Sequence, residues 1–310
     1  MKLRTSAAVA FHLVCSFFWV WSCLLCCTAF RDAVAQDART TEVGVVLSLT
    51  GDLATIGTAV RNGIEMAGFD QPELFQGVHF QYIDTRSDSA TTVTGYQSML
   101  QRSTPSVVLH FGDVMPVRPL IDRNNIAVIN LSFESEAAAG SDLIVRSFDD
   151  TSAYGRALAR AVSTRGLGPL AVVESEGRFF EAMVEGTARD LRGEGRVLRE
   201  SVSMGQQDFR ALIVRLKRRG VRGVGLFMLP EQLRTFARQA RELDFHPTYF
   251  GTDLFESAAE SPEAQSLFRG ALYPDNQVDP GFAARYKTRY GSTAHLTFAG
   301  SGYDVAIIVG

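Results

Sequence analysis

Residues 43–68 constrain the fold more than any other stretch of the chain. Val43, Val45, Val46 and Leu47 form an apolar, β-branched run that stops at a polar turn over residues 48–52. A helical stripe follows, with Ile56, Val60, Ile64 and Ala67 spaced to face one side. A strand that is apolar on both faces belongs inside a parallel sheet covered by helices, because neither face can be left in water. In such sheets the loops at the carboxyl ends of the strands carry ligands. Taken alone, the segment also fits an ordinary strand–helix connection that binds nothing.

The alternation continues along the chain. Apolar runs predict strands at 43–49, 78–83, 106–111, 127–131, 169–174, 223–228, 248–251 and 270–273. Amphipathic stretches lie between them. The clearest covers 231–244, with Leu233, Phe236, Ala237, Ala240 and Leu243 on one face and Arg234, Arg238, Arg241 and Glu242 on the other. Another is expected to begin at Asp208 as N-cap, turning Ala211, Leu212 and Leu216 inward and Arg215, Lys217 and Arg218 outward. Repeated strand–helix units predict an α/β fold of doubly wound parallel sheets with helices on both faces.

The first residues belong to a different problem. Lys2 and Arg4 precede a stretch, 5–30, without aspartate, glutamate, lysine or arginine, and Ala33-Val34-Ala35 offers a cleavage site before Gln36. Residues 1–35 are therefore expected to be a signal peptide, with an uncleaved membrane anchor as the alternative, since about 20 apolar residues suffice to span a bilayer. All four cysteines (Cys15, Cys23, Cys26, Cys27) lie in this segment. The exported chain then has no disulfide framework, cysteine nucleophile or cysteine metal site. Cys23 and Cys26 give only a weak lipidation signal. About 275 residues remain, enough for two lobes of ordinary domain size. Their charge is mildly negative and no basic stripe is present, so nucleic acid is not an expected partner.

Enzyme signatures are absent from the sequence. There is no HExxH, P-loop or GxSxG, and the G-x-x-G-x-G of residues 220–225 runs into a strand instead of a helix. His79, His110, His246 and His295 lack metal-ligand spacing and read as surface or strand-end histidines. Ser301, between two glycines, reads as a packing residue. No catalytic residue, metal or cofactor is expected.

Several segments carry a family resemblance: 43–68, 82–88 (Tyr-Ile-Asp-Thr-Arg-Ser-Asp), Arg146 with 149–159, 207–209 with 238–243, 282–291, and 302–305 (Gly-Tyr-Asp-Val). In this order they resemble the branched-chain amino-acid-binding proteins, the type I periplasmic solute-binding proteins that serve ABC transporters. The resemblance covers nearly all of the chain after the signal segment. It implies two doubly wound lobes joined by a hinge, lobe one being 39–149 plus 277–310 and lobe two 150–276. It also implies that the C-terminal part is truncated, because the chain stops within the helix that carries Tyr303 and Asp304.

The implied function is capture of a small amino-acid-like or amide-like ligand by hinge closure, with delivery to an ABC permease. The protein would then be periplasmic and monomeric. The rival expectation is a ligand-sensing ectodomain of a membrane-anchored receptor. By the resemblance, lobe one would meet a ligand carboxylate, and Asp253 of lobe two would meet its ammonium. Asp253 read alone also suits an N-cap or a solvated loop. The implied ligand-binding set is Ile56, Gly112, Asp113, Ser132, Phe133, Glu134, Phe179 and Asp253. Ile56 and Phe179 stand where tyrosine is frequent, and the 111–116 loop lacks the usual serines. Asp113 and Glu134 either face solvent or, if they face the cleft, call for a ligand that is cationic overall.

Overall fold

The computed structural model describes residues 40–132, 135–148, 151–191 and 197–310. The expected signal segment, all four cysteines and the 149–150 junction lie outside the described residues. So do Phe133 and Glu134.

The fold is α/β, with two parallel sheets. The first contains β1 (Thr41–Leu47), β2 (Val78–Asp84), β3 (Val107–Phe111), β4 (Ala127–Leu131) and β5 (Ile144–Arg146), in the order β2-β1-β3-β4-β5. The second contains β6 (Leu170–Ser175), β7 (Leu198–Val202), β8 (Gly223–Phe227) and β9 (Thr248–Gly251), in the order β7-β6-β8-β9. Burial separates the central strands from the edges. Every residue of β6 and β8 is buried, whereas β7 alternates and Val145 of β5 is exposed. That is the distinction expected between a strand covered on both faces and one at a sheet margin.

The helices are α1 (Ala54–Asp70), α2 (Ser89–Arg102), α3 (Arg118–Asn124), α4 (Thr151–Thr164), α5 (Arg178–Asp190), α6 (Arg210–Arg218), α7 (Pro230–Glu242), α8 (Leu254–Ala258), α9 (Pro262–Leu267), α10 (Pro280–Tyr290) and α11 (Leu296–Val309). β1 shows why they cover both faces of the first sheet. Val43, Val45 and Leu47 point into the core that includes α1 and α11, and Val46 points into a second core with Tyr96, Met99 and Ile121 from α2 and α3. Helix ends follow local chemistry. Asp88 caps α2 through the Thr91 N–H, and Asp279 followed by Pro280 opens α10, which closes at the left-handed Gly291.

Residues 280–309 return to the first sheet. Tyr290 Oη donates to the Asn62 carbonyl at 2.9 Å, and Arg285 pairs with Asp70 at 3.2 Å. α11 lies directly against α1. A Cβ on Gly63 would stand 1.9 Å from the Ala299 carbonyl oxygen, and one on Gly302 would stand 2.3 Å from that of Val60. Only glycine permits this approach of two backbones.

Four sequence expectations need correction. Residues 270–273 form no strand of a sheet; Leu272 makes a single parallel bridge to Phe250. β5 and β7 are edge strands that the apolar runs did not reveal, β5 because it has only three residues and β7 because it is largely polar. α6 starts at Arg210, because the buried Phe209 occupies the cap position and gives its N–H to Gln239 Oε1; Asp208 instead accepts from the Arg210 N–H. That start shifts the inward face, so Ile213 is buried and Ala211 is exposed.

Candidate functional site

Strand order places the site. In the first sheet the chain passes from β1 outward to β2 and then back across to β3, and in the second from β6 to β7 and back to β8. Such reversals open a crevice at the carboxyl ends of the strands. A cleft of about 340 Å³ lies there, at the lower end of the usual range for small-molecule sites. Loops after β1, β2, β3 and β4 line one side, and loops after β6, β7, β8 and β9 line the other. Phe298 of α11 also lines it.

The first-sheet rim is built around Asp84, the last residue of β2. Its carboxylate accepts from the N–H groups of Leu49, Thr50 and Arg86 at 2.9–3.1 Å and from Thr50 Oγ1 at 2.7 Å. Burial works against the charge, yet these hydrogen bonds hold the carboxyl below its usual range. They also fasten a turn in which Arg86 and Ser87 both adopt left-handed backbone, at φ 54° and 57°. Ser87 Oγ then accepts from the Leu53 N–H, and Ser48 Oγ meets Thr85 Oγ1 at 2.7 Å. Asp84→Ala should cost about 1–3 kcal/mol, as expected for loss of hydrogen bonds to a charged group. Because the folded carboxyl titrates low, its contribution is present above about pH 4 and is lost as pH falls further. Urea unfolding at pH 7 and pH 3 checks this: the difference between wild type and variant should be smaller at the second than at the first.

At the end of β3, Gly112 takes φ 107°, which a side chain would strain although nothing would obstruct it. The Asp113 carboxylate accepts from the Met115 N–H at 2.9 Å. His110 is wholly buried and meets Tyr96 Oη at 3.0 Å; burial lowers its pKa to about 4, so it is neutral at physiological pH. On the far side, buried Gln232, Thr235 and Gln239 of α7 fasten the 203–209 loop, which brings Met204 to the cleft.

Asp253 occupies the N-cap position of α8 but makes no cap hydrogen bond. Only 6% of the residue is exposed, and its carboxylate accepts from its own backbone N–H. Burial, with Glu256 and Asp275 nearby, raises its pKa to about 8.

Of the residues named from the sequence, Ile56, Gly112, Asp113, Ser132 and Asp253 line the cleft. Phe133 and Glu134 lie outside the described residues, as does the side chain of Phe179, whose neighbour Phe180 lines the cleft. Sequence reasoning passed over Asp52, Thr85, Asp88, His110, Glu176, Met204 and Phe298. All but Phe298 follow or end a strand, and that position was the available signal.

The family model of periplasmic binding proteins matches residues 40–309. The chain belongs to this family. No curated protein matches the sequence. Among solved structures, a leucine-binding protein from Thermotoga maritima superposes with a TM-score of 0.73 at 20% identity, covering 86% of this chain and 81% of its own. The isoleucine complex of a branched-chain amino-acid transporter binding protein from Streptococcus pneumoniae gives 0.72 at 17%, covering 86% and 82%. A solute-binding protein from R. palustris with 4-hydroxybenzoate gives 0.70 at 17%, covering 87% and 79%. At these identities the likeness concerns the fold.

This periplasmic binding protein also contains a buried polar chain beside the cleft. Thr55 Oγ1 of α1 meets Ser257 Oγ of α8 at 2.9 Å, and Ser257 Oγ meets His295 Nε2 at 2.8 Å. His295 Nδ1 stands 3.6 Å from Glu256, which accepts from Tyr273 Oη at 3.0 Å. His295 is thus a buried histidine, not a surface one, and burial holds its pKa at about 4. A serine, histidine and carboxylate in this order bring a hydrolytic triad to mind. Ser257, however, is 3% exposed, does not line the cleft and shares its hydroxyl with Thr55, so no substrate carbonyl can reach it. The chain joins the helix after β1 to the helix after β9, and so bridges the two sides of the cleft.

Proposed function

We propose that the chain is an exported solute-binding protein that captures a small amino-acid-like or amide-like ligand in this cleft by hinge closure and delivers it to an ABC permease. The observation that carries the reading is a single cleft bordered by the carboxyl ends of eight strands, four from each sheet. The lobes in this reading are 39–149 with 277–310, and 150–276, and the protein works as a periplasmic monomer. Solved relatives of the same fold are described with leucine, isoleucine or 4-hydroxybenzoate, so the fold leaves the ligand open. Sensing by a membrane-anchored ectodomain is the second reading, favoured by the uncharged 5–30 segment.

Hinge closure needs contacts that form between the two sides, and the Thr55–Ser257 bond is one. Ligand is expected to reduce the radius of gyration in X-ray scattering with no change in secondary structure. Ser257→Ala should weaken binding by about three- to tenfold, as loss of a buried hydrogen bond worth about 1 kcal/mol implies. A bound ligand that leaves the radius of gyration unchanged would refute closure.

A further inference from the structure

We propose that His295 makes ligand capture depend on pH: the cleft holds its ligand while this ring is neutral and releases it as the ring takes up a second proton. The inference rests on the hinge-closure reading above and adds its regulation.

Three walls of the cleft are tied together at this ring. Thr55 stands between Leu53 and Ile56, Ser257 three residues after Leu254, and His295 three residues before Phe298; those four apolar neighbours all line the cleft. The Thr55 and Ser257 hydroxyls and the His295 ring join the elements that carry them. A change at His295 therefore reaches both sides of the cleft at once. The ring is held in place from behind, because His295 has a left-handed backbone, φ 54°, and gives its N–H to Glu256 Oε2 at 2.5 Å.

A neutral ring fits this link and a cationic one does not. The His295 side chain is 1% exposed, and its Nδ1 has no hydrogen-bond partner: it faces the Glu256 carboxylate at 3.6 Å, beyond hydrogen-bond reach. That carboxylate assigns the neutral ring's proton to Nδ1, so Nε2 accepts from Ser257 and Ser257 accepts from Thr55. A second proton can enter only at Nε2, where the Ser257 proton already points. It would reverse the link and leave a buried cation without a hydrogen-bonded counter-ion. When the two sides part, water reaches the ring and it titrates near its ordinary value of about 6.5. With the link made, burial holds it at about 4. The parted state thus binds more protons between these values, and acid favours it. Asp253, Tyr273 and Asp275 surround Glu256 on the second side, and Arg234 binds the Ser257 carbonyl at 3.1 Å. Their titration is common to wild type and a His295 variant, so comparing the two isolates the ring.

The test is isothermal titration of wild type and His295→Gln with leucine, glutamine, arginine and 4-hydroxybenzoate at pH 7.5 and pH 5. Glutamine at 295 can still reach Ser257 but cannot take up a proton. For the compound that binds most tightly, the affinity lost between the two pH values should be about tenfold greater in wild type than in the variant. In wild type the His295 ring, followed by NMR, should titrate about one pH unit or more lower with that compound than without it. This second measurement decides alone if the variant does not fold. Equal losses in the two proteins, or a ring that titrates alike with and without ligand, would overturn the inference while leaving the solute-binding reading intact. No binding by any compound in the panel at either pH would overturn both.

Discussion

Asp253→Asn is expected to weaken an amine ligand by about 30-fold or more, because removing one partner of a desolvated charge pair costs about 2–5 kcal/mol. The same substitution should make the unliganded protein more stable at alkaline pH. The unfolded carboxyl ionises near pH 4, whereas the folded one, buried beside Glu256 and Asp275, holds its proton to about pH 8. The folded state thus binds more protons between these values, and stability must fall as pH rises through that window. The slope approaches about 1.4 kcal/mol per pH unit, and the total is a few kcal/mol. Asparagine has no proton to lose, so the variant should overtake wild type as pH rises from 4 to 8. Melting curves from pH 4 to pH 9 for both proteins measure this. Superimposable curves, with equal ligand affinity, would mean that Asp253 is an ordinary solvated carboxylate.

The largest loss of stability should come from Gly63→Val. A Cβ there lies 1.9 Å from a backbone oxygen of α11, and a backbone cannot rotate aside as a side chain can. The two helices must separate, exposing part of the core shared by Val60, Ile64, Phe298 and Ala299. Overpacking of this kind typically costs about 1–3 kcal/mol, and more when backbone blocks the relief. The melting temperature should then fall by roughly 2–12 °C. Gly68→Ala on the same helix meets nothing within 4 Å and should be neutral or slightly stabilising. Equal melting temperatures for Gly63→Val and wild type would contradict the close helix contact.

How far the sequence reveals this arrangement depends on whether the signal is local. β1, β6 and β8 contain apolar stretches at 43–47, 170–173 and 223–227 that are buried on both faces, so their runs are plain. β7, Leu-Arg-Glu-Ser-Val, is an edge whose Arg199 is paired with Glu174 of β6, and no apolar run marks it. Residues 270–273 are apolar because they cover β9, which does not require a ladder. In the site, position after a strand is enough to bring Asp113, Ser132 and Asp253 to attention. Asp52, Asp88 and Glu176 were missed because a charged residue beside a helix start reads equally well as a cap or as a solvated carboxylate. Which way it faces depends on the opposite sheet. His295 is the strongest case: its partners, Ser257 and Glu256, lie about 40 residues earlier on another element.

The contact between α1 and α11 also governs the order in which the molecule can be assembled. Asn62 waits for Tyr286 and Tyr290, and Asp70 waits for Arg285, across separations of 215 to 228 residues. Until residues 280–309 are in place, one face of the first sheet has only half its cover. β6 to β9, by contrast, form from one continuous stretch and can close early. Long-range contacts of this kind slow folding, because loop-closure entropy is lost before any contact rewards it. A chain built this way stays incompletely folded until nearly all of it is present, the condition under which a polypeptide can still be threaded through a narrow pore.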